Sequence, residues 1–236
     1  MTESPLHTVL VPGLLCSARL YERVLPAVWA HGAVTIADTR RDDTLGGMAE
    51  RLLADAPERF ALVGLSMGGY VAFEVLRRAS ERVLAIALVS TTARPDTPAQ
   101  TTRRRSQMAM ARDGCFGELV ETLFPMMVDA GAREDEDLHA VWTSMAHSVG
   151  PDTFCAQLAA IMTRPDSRPL LPTIACPAAV IHGAGDGLIA VEEGEELAAA
   201  ITGAYRTIID NCGHLSALER PGVVGATLGE LLTAAS

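Results

Sequence analysis

Short apolar runs rich in β-branched residues recur along the chain, and longer segments with helical spacing of apolar residues lie between them. The runs predict six strands, at Thr8–Val11, Val34–Asp38, Phe60–Val63, Val83–Ser90, Ala178–His182 and Tyr205–Ile209. Alternation of strands and helices is typical of parallel βαβ units, because parallel neighbours need a long crossover. The pattern therefore predicts an α/β fold with a mostly parallel sheet of about six strands and helices on both faces.

Helical spacing marks most of the connecting segments. The predicted helices cover Ser17–Ala30, a segment with Leu45, Met48, Leu52 and Leu53 on one face, Met67–Ala79, Val191–Ile201 and Leu215–Leu232. Pro26 lies inside the first of these helices, where we expect its ring to bend the helix.

The alternation is interrupted once, between residues 93 and 172. Four helical patterns but no strand-like run occur there, around Arg103–Arg112, Phe116–Leu123, Asp137–His147 and Thr153–Met162. A stretch of roughly 80 residues is too long for an ordinary connecting loop. We therefore predict that residues 93–172 form an inserted helical cap, or lid, and that residues 1–92 and 173–236 form the core.

Composition narrows the classes of partner. The 236 residues are 49% hydrophobic and 20% charged, enough apolar material for a sizeable core. The formal net charge is −10, and all 19 basic residues are arginines. An acidic chain lacks the basic surface that nucleic-acid phosphates require, so we expect no nucleic-acid partner. The short run Arg103–Arg105 is interpreted as a solvated helix face.

Several features indicate a soluble cytoplasmic protein without a membrane partner. Residues 1–7 lack the basic and apolar regions of a secretory signal. The longest fully apolar run, Val83–Val89, is too short to span a bilayer. The cysteines are odd in number and not spaced as metal or redox pairs, so we expect reduced thiols; they are Cys16, Cys115, Cys155, Cys176 and Cys212.

The most informative motif is Gly64-Leu65-Ser66-Met67-Gly68, which ends a predicted strand and starts a predicted helix. A nucleophile on so sharp a turn needs small residues two positions to either side, because the chain doubles back on itself. The motif predicts a nucleophilic Ser66, with the Met67 N–H at the helix N-terminus facing a developing oxyanion. The alternative is a plain glycine-rich turn.

Two phosphate-binding motifs do not fit this segment. The dinucleotide fingerprint requires glycine at position 66, and the P-loop requires a lysine, which the chain lacks. We expect neither an organic cofactor nor a metal.

A serine nucleophile needs a base and an orienting carboxylate. Asp186 and His214 each follow a predicted strand, so both should lie at the sheet edge that carries Ser66. Asp96 and Asp210 are alternative acids, ranked below Asp186. The other histidines are interpreted as hydrogen-bonded core or surface residues, and Cys16 and Cys212 as packing residues.

At this point the chain resembles the α/β-hydrolase family over nearly its whole length. Besides the serine turn, the resemblance includes Val11-Pro12-Gly13-Leu14-Leu15, Gly185-Asp186 and Gly213-His214, followed by Leu218-Glu219-Arg220-Pro221. It implies that the Leu14 N–H is a second oxyanion donor beside that of Met67, and that the insertion is the family's cap. Two N-terminal strands common in the family are missing, and Pro12 stands where relatives often carry histidine.

These features predict a serine hydrolase that cleaves small, largely apolar carboxylic esters with the triad Ser66, His214 and Asp186. Six of the nine methionines lie in the insertion and could supply a flexible apolar lining. The alternatives are a lactonase similar to enol-lactonases, a C–C bond hydrolase or an acyltransferase with the same triad, and a non-catalytic ligand receptor. The expected partner is a small-molecule substrate, and no oligomeric state is predicted.

Overall fold

The computed structural model describes residues 6–235, in which strands and helices alternate as predicted. Its strands are β1 (Thr8–Val11), β2 (Val34–Ile36), β3 (Phe60–Leu65), β4 (Val83–Val89), β5 (Ala178–Gly183) and β6 (Tyr205–Ile209). They form one six-stranded sheet in the order β2-β1-β3-β4-β5-β6, and every neighbouring pair is parallel. The strands β3 and β5 run further toward their carboxyl ends than predicted, to the residues next to the candidate site.

Helices connect the strands and cover the sheet. In the core they are α1 (Leu25–Trp29), α2 (Leu45–Asp55) and α3 (Met67–Ala79); those between β4 and β5 are α4 (Pro98–Arg112), α5 (Phe116–Met127) and α6 (Glu136–Met162); the last three are α7 (Val191–Ala200), α8 (Ser216–Glu219) and α9 (Pro221–Ala234). Within residues 6–235, none of them combines the length and the apolar character that crossing a membrane requires.

Two predicted helices are divided by the chain's prolines. The prediction of one helix over Ser17–Ala30 is wrong: a 3-10 turn at Ala18–Tyr21 precedes α1, and Pro26 lies in the first turn of α1. Likewise Pro221 starts α9, so Leu215–Leu232 is two helices. Proline fits a first helical turn because its missing N–H has no partner there in any case.

Residues 93–172 contain α4, α5 and α6 and no strand, and we call them the inserted segment. Its longest helix, α6, is broken at Gly150, whose φ of 79° and ψ of 167° are not helical, and at the following Pro151. The segment packs around Trp142, which is fully buried and donates its indole N–H to the Val120 carbonyl at 3.0 Å. A buried, satisfied indole fixes how α5 and α6 pack.

The centre of the sheet is apolar on both faces. Every residue of β3 is buried, as are all but Leu84 in β4. Strands covered by helices on both sides read as continuous hydrophobic runs, which is why these two were recognisable from sequence. Their packing makes a rigid base for the turn that follows β3.

Candidate active site

Ser66 lies on the tight turn between β3 and α3. Its φ of 56° and ψ of −115° fall outside the regions that residues with a side chain favour. Three hydrogen bonds hold this backbone: Ser66 N donates to Val89 O at 2.9 Å, and Ser66 O accepts from Gly69 N at 2.9 Å and Thr91 Oγ1 at 2.8 Å. The surrounding structure therefore enforces a conformation that the chain alone would avoid.

The two glycines of the motif are required by close backbone contacts. A Cβ on Gly64 would overlap the Gly68 carbonyl, and one on Gly68 would overlap the Val11 carbonyl. These contacts are with backbone atoms, which cannot rotate away. Both glycines therefore act as the sequence predicted. The turn also packs closely against the end of β1, at Val11.

Gly68→Ala is accordingly expected to destabilise the protein by at least about 2 kcal/mol, because the methyl group must displace packed backbone. Urea denaturation of the variant and the parent measures the change. Gly117→Ala is the matched control, since Gly117 lies in α5 and nothing stands within 4 Å of an added Cβ. Equal midpoints for the two variants would contradict the proposed crowding at Gly68.

The structure brings His214 and Asp186 together. The His214 Nδ1 and Asp186 Oδ2 atoms are 2.8 Å apart, and both side chains are almost fully buried. The other carboxylate oxygen, Oδ1, accepts the backbone N–H groups of Leu188 at 2.8 Å and Ile189 at 3.0 Å. One oxygen of Asp186 is thus fixed by its own loop, and the second is directed to the imidazole.

His182 lies next to this pair. The sequence predicted it only to be a hydrogen-bonded histidine of the core. It is fully buried, and its Nε2 lies 3.0 Å from the Ile189 carbonyl and 3.4 Å from Asp186 Oδ2. Burial by itself raises the pKa of the Asp186 carboxyl, but His214, His182 and the Ile189 amide together lower it below its usual range. Asp186 is therefore held as a carboxylate.

Glu219 fixes the loop that carries His214. Its carboxylate accepts the Gly213 N–H at 3.0 Å and the Asp129 N–H at 2.8 Å, and it is buried. On the other side of His214, Leu215 N donates to Met127 O at 2.9 Å. The histidine loop is thus tied to the inserted segment at both ends. Glu219 is part of the motif Leu218–Pro221 in the family resemblance, but the sequence predicted no role for it.

Leu14 and Met67, the two candidate oxyanion donors, lie after β1 and at the start of α3. Among the hydrogen bonds of residues 6–235, neither backbone N–H has an acceptor. Leu14 also lines the pocket described below. Two free backbone donors at such positions are suited to binding a negatively charged oxygen.

Gln157 of α6 supports the Leu14 loop from the inserted segment. It is fully buried, and its Oε1 accepts the Leu15 N–H at 3.2 Å while its Nε2 donates to the Thr39 carbonyl at 3.3 Å. Leu15 needs this support because its φ of 60° is unfavourable for a residue with a side chain. A single side-chain amide of the inserted segment therefore joins α6 to two loops of the core.

A pocket opens over Ser66 and His214. Its apolar wall comes from both the core and the inserted segment: Leu14, Leu123, Met126, Met127, Ile161, Leu188 and Ile189. A second wall is polar and consists of Gln100, Arg103, Arg104, Gln107 and Glu193. Two of the six methionines of the insertion line this pocket, while Met145 is buried in the segment's own core.

The remaining candidates lie elsewhere. Asp96 is paired with Arg104 and Arg164, and Asp210 is exposed, so neither contacts His214. The interpretation of Arg103–Arg105 as a solvated face is wrong for Arg104, whose side chain is only 13% exposed. Burial raises the pKa of the Cys16 and Cys212 thiols to about 12, in keeping with packing roles. Residues 6–235 contain no cluster of three or more side chains that could ligate a metal.

The comparisons with known proteins agree with this architecture. Over 212 residues, 83% of this chain and 81% of the relative, the protein is 27% identical to a pimeloyl-[acyl-carrier protein] methyl ester esterase of Aromatoleum aromaticum. A malate-bound esterase from Thermogutta terrifontis superposes with a TM-score of 0.89 at 26% identity, covering 98% of this chain and 91% of that one. For the enol-lactonase from Burkholderia xenovorans LB400 the TM-score is 0.88 at 25% identity, covering 98% and 92%.

The model of one protein family matches most of the chain. It spans residues 8–227, which include the serine turn, the inserted segment and the histidine loop. The chain belongs to the α/β hydrolase family.

Proposed function

We propose that this protein is a serine hydrolase that cleaves small carboxylic esters through an acyl-enzyme. The observation that carries the proposal is the hydrogen bond between His214 Nδ1 and Asp186 Oδ2, formed beside a pocket that also contains the strained Ser66. The names of the relatives, esterases and an enol-lactonase, support an ester bond as the target.

The bond between His214 and Asp186 supports one direction for the proposed proton transfer. Because Asp186 is a carboxylate, His214 Nδ1 must carry the hydrogen of their bond, and the basic lone pair lies on Nε2. Nε2 takes the Ser66 hydroxyl proton as Oγ attacks the ester carbonyl, and then gives it to the departing alcohol. Water attacks the acyl-Ser66 intermediate by the same route, with Nε2 again as the base.

The free N–H groups of Leu14 and Met67 are proposed to bind the carbonyl oxygen when it becomes an oxyanion. Each preorganised donor of this kind contributes about 10²–10³-fold to turnover. The inserted segment acts as the cap, since α4, α5 and α6 all supply pocket-lining residues and leave the catalytic groups in a partly enclosed space.

A lactone is the second candidate substrate. The same attack by Ser66 opens a ring when the leaving alcohol is tethered to the acyl group, so the residues and steps are unchanged. The observation that favours it is the close superposition on an enol-lactonase.

Hydrolysis of p-nitrophenyl esters from acetate to decanoate tests the proposal. We expect saturable turnover with an optimum among the short chains, together with stoichiometric labelling of Ser66 by a fluorophosphonate, located by mass spectrometry. A label on another residue, or no turnover on any ester, would count against the assignment.

The role of Gln157 gives a further prediction. Gln157→Ala is expected to lower kcat for p-nitrophenyl acetate by about tenfold with little change in KM, because a misplaced Leu14 N–H stabilises the oxyanion less well. Steady-state kinetics at 25 °C and thermal unfolding of the same sample separate the two effects. A folded variant with the parent kcat would show that the cap amide does not position this loop.

A further inference from the structure

The polar wall of the pocket carries a charge cluster that the proposed reaction does not use. Helix α4 contributes Arg103 and Arg104 to the lining, and α7 contributes Glu193. Ester cleavage by the proposed triad needs no cation at this place, since the oxyanion is bound by backbone N–H groups. These charged side chains are therefore free to bind another part of the substrate.

Two guanidinium groups share one buried carboxylate behind Arg104. Asp96 lies 3.1 Å from Arg104 Nε and 2.5 Å from Arg164 Nη1, and its side chain is only 2% exposed. Arg164 is also buried and stacks over the Tyr70 ring at 4.6 Å. Since two arginines meet one aspartate, the buried group has a net charge of +1.

Arg104 has unused donors at the pocket. Only its Nε is bound to Asp96, and within residues 6–235 its two NH2 groups have no hydrogen-bond acceptor. Burial has the largest effect on the pKa of this guanidinium and lowers it, as does the nearby Arg164, while Asp96 and Tyr70 offset only part of the decrease. Arg103, exposed at the pocket mouth, forms no ion pair with any described residue.

Tyr70 places this cluster close to the nucleophile. It lies four residues after Ser66, about 6 Å along the axis of α3. Its ring carries Arg164 on one face and it lines the same pocket as Arg104. A group bound by Arg104 would therefore lie in the same pocket as an ester carbonyl at Ser66.

We infer that the polar wall is an anion subsite and that the substrate is an ester or lactone bearing a free carboxylate, which Arg104 binds with help from Arg103. A carboxylate fits a guanidinium with two free NH2 groups, because it can accept two parallel hydrogen bonds. Its single negative charge matches the net +1 of Asp96 with its two arginines. The inference rests on the proposed ester hydrolysis and refines its substrate, replacing the apolar ester expected from composition.

Matched substrates test the subsite kinetically. We expect kcat/KM for monomethyl glutarate to exceed that for the neutral dimethyl glutarate by about tenfold or more, a typical effect of a charged hydrogen bond. Arg104→Gln should reduce the ratio of kcat/KM for the monoester to kcat/KM for the diester to about one. Arg105→Gln is the control, since it makes the same change one residue away outside the pocket lining.

Binding to an inactive variant separates this inference from the proposed function. Calorimetry of glutarate against Ser66→Ala, with and without Arg104→Gln, should show about tenfold weaker binding without the arginine. If that loss occurs but no ester is hydrolysed, the subsite stands and the esterase assignment fails. If esters are hydrolysed without any dependence on Arg104, the subsite is overturned. Should Arg104→Gln fail to fold, Arg103→Gln replaces it, and unchanged monoester kinetics and glutarate affinity in that variant would also overturn the inference.

Discussion

Ser66→Ala is expected to lower kcat for p-nitrophenyl acetate by about 10⁴-fold or more, the loss seen when a triad nucleophile is removed. Only Oγ is deleted, so the hydrogen bonds that fix the turn, from Ser66 N to Val89 O and from Thr91 Oγ1 to Ser66 O, remain. The variant should therefore fold with nearly the parent stability. Steady-state kinetics over a range of enzyme concentrations measure the loss.

Ser106→Ala is the matched control for this variant. Ser106 is an exposed residue of α4 that does not line the pocket, and its replacement should leave kcat unchanged. Retention of more than about 1% of the parent kcat by Ser66→Ala would place the nucleophile on another residue, because triad deletions leave far less.

Asp186→Asn is expected to reduce kcat by about 10⁴-fold with little change in structure. Because the Leu188 and Ile189 N–H groups both donate to Oδ1, the carbonyl oxygen of the new amide must stay there, and its NH2 takes the place of Oδ2. That NH2 donates to His214 Nδ1, which forces the ring hydrogen onto Nε2. The imidazole then cannot accept the Ser66 proton.

Steady-state kinetics of Asp186→Asn beside Asp210→Asn measure this effect. Asp210 is exposed and directly follows β6. Its variant therefore makes the same chemical change without removing a contact of His214. Equal kcat values for the two variants would contradict the assignment of Asp186 as the orienting acid.

The lowered pKa of Asp186 predicts a pH dependence of stability. A carboxylate with a depressed pKa binds fewer protons in the folded than in the unfolded protein, so its stabilising effect is present above an unfolded pKa of about 3.9. That contribution declines as the pH falls below this value. Urea denaturation of the parent and of Asp186→Asn between pH 7 and pH 3 should show the difference in unfolding free energy shrinking toward acid, and a constant difference would contradict the shift.

Local signals explain how much of the molecule was predictable. Doubly buried parallel strands leave continuous apolar runs, so the strands from Phe60 and Val83 could be found without a structure. A serine flanked by Gly64 and Gly68 marks its own turn, because no larger residue fits beside it. Ser66, Asp186 and His214 could be found in the same way, because each comes shortly after the end of a strand.

Contacts between distant segments could not be predicted in this way. The bond from Leu15 N to Gln157 joins residues 142 positions apart, and that from Asp129 N to Glu219 joins residues 90 apart. Neither glutamine nor glutamate carries a local pattern that marks it as a loop support. The ion pair of Arg104 with Asp96 could not be predicted either, because Arg104 lies in an arginine run that the sequence indicated to be solvated.

The sequence by itself therefore determined the strand order along the chain, the serine turn and the residues that follow each strand, since these depend on neighbours within a few positions. Tertiary structure alone decided which acid reaches His214, which side chains hold the Leu14 loop and the histidine loop, and which charges face the pocket. The reason is physical: a hydrogen bond or ion pair depends on distances of a few ångströms, which exist only after segments far apart in sequence have packed.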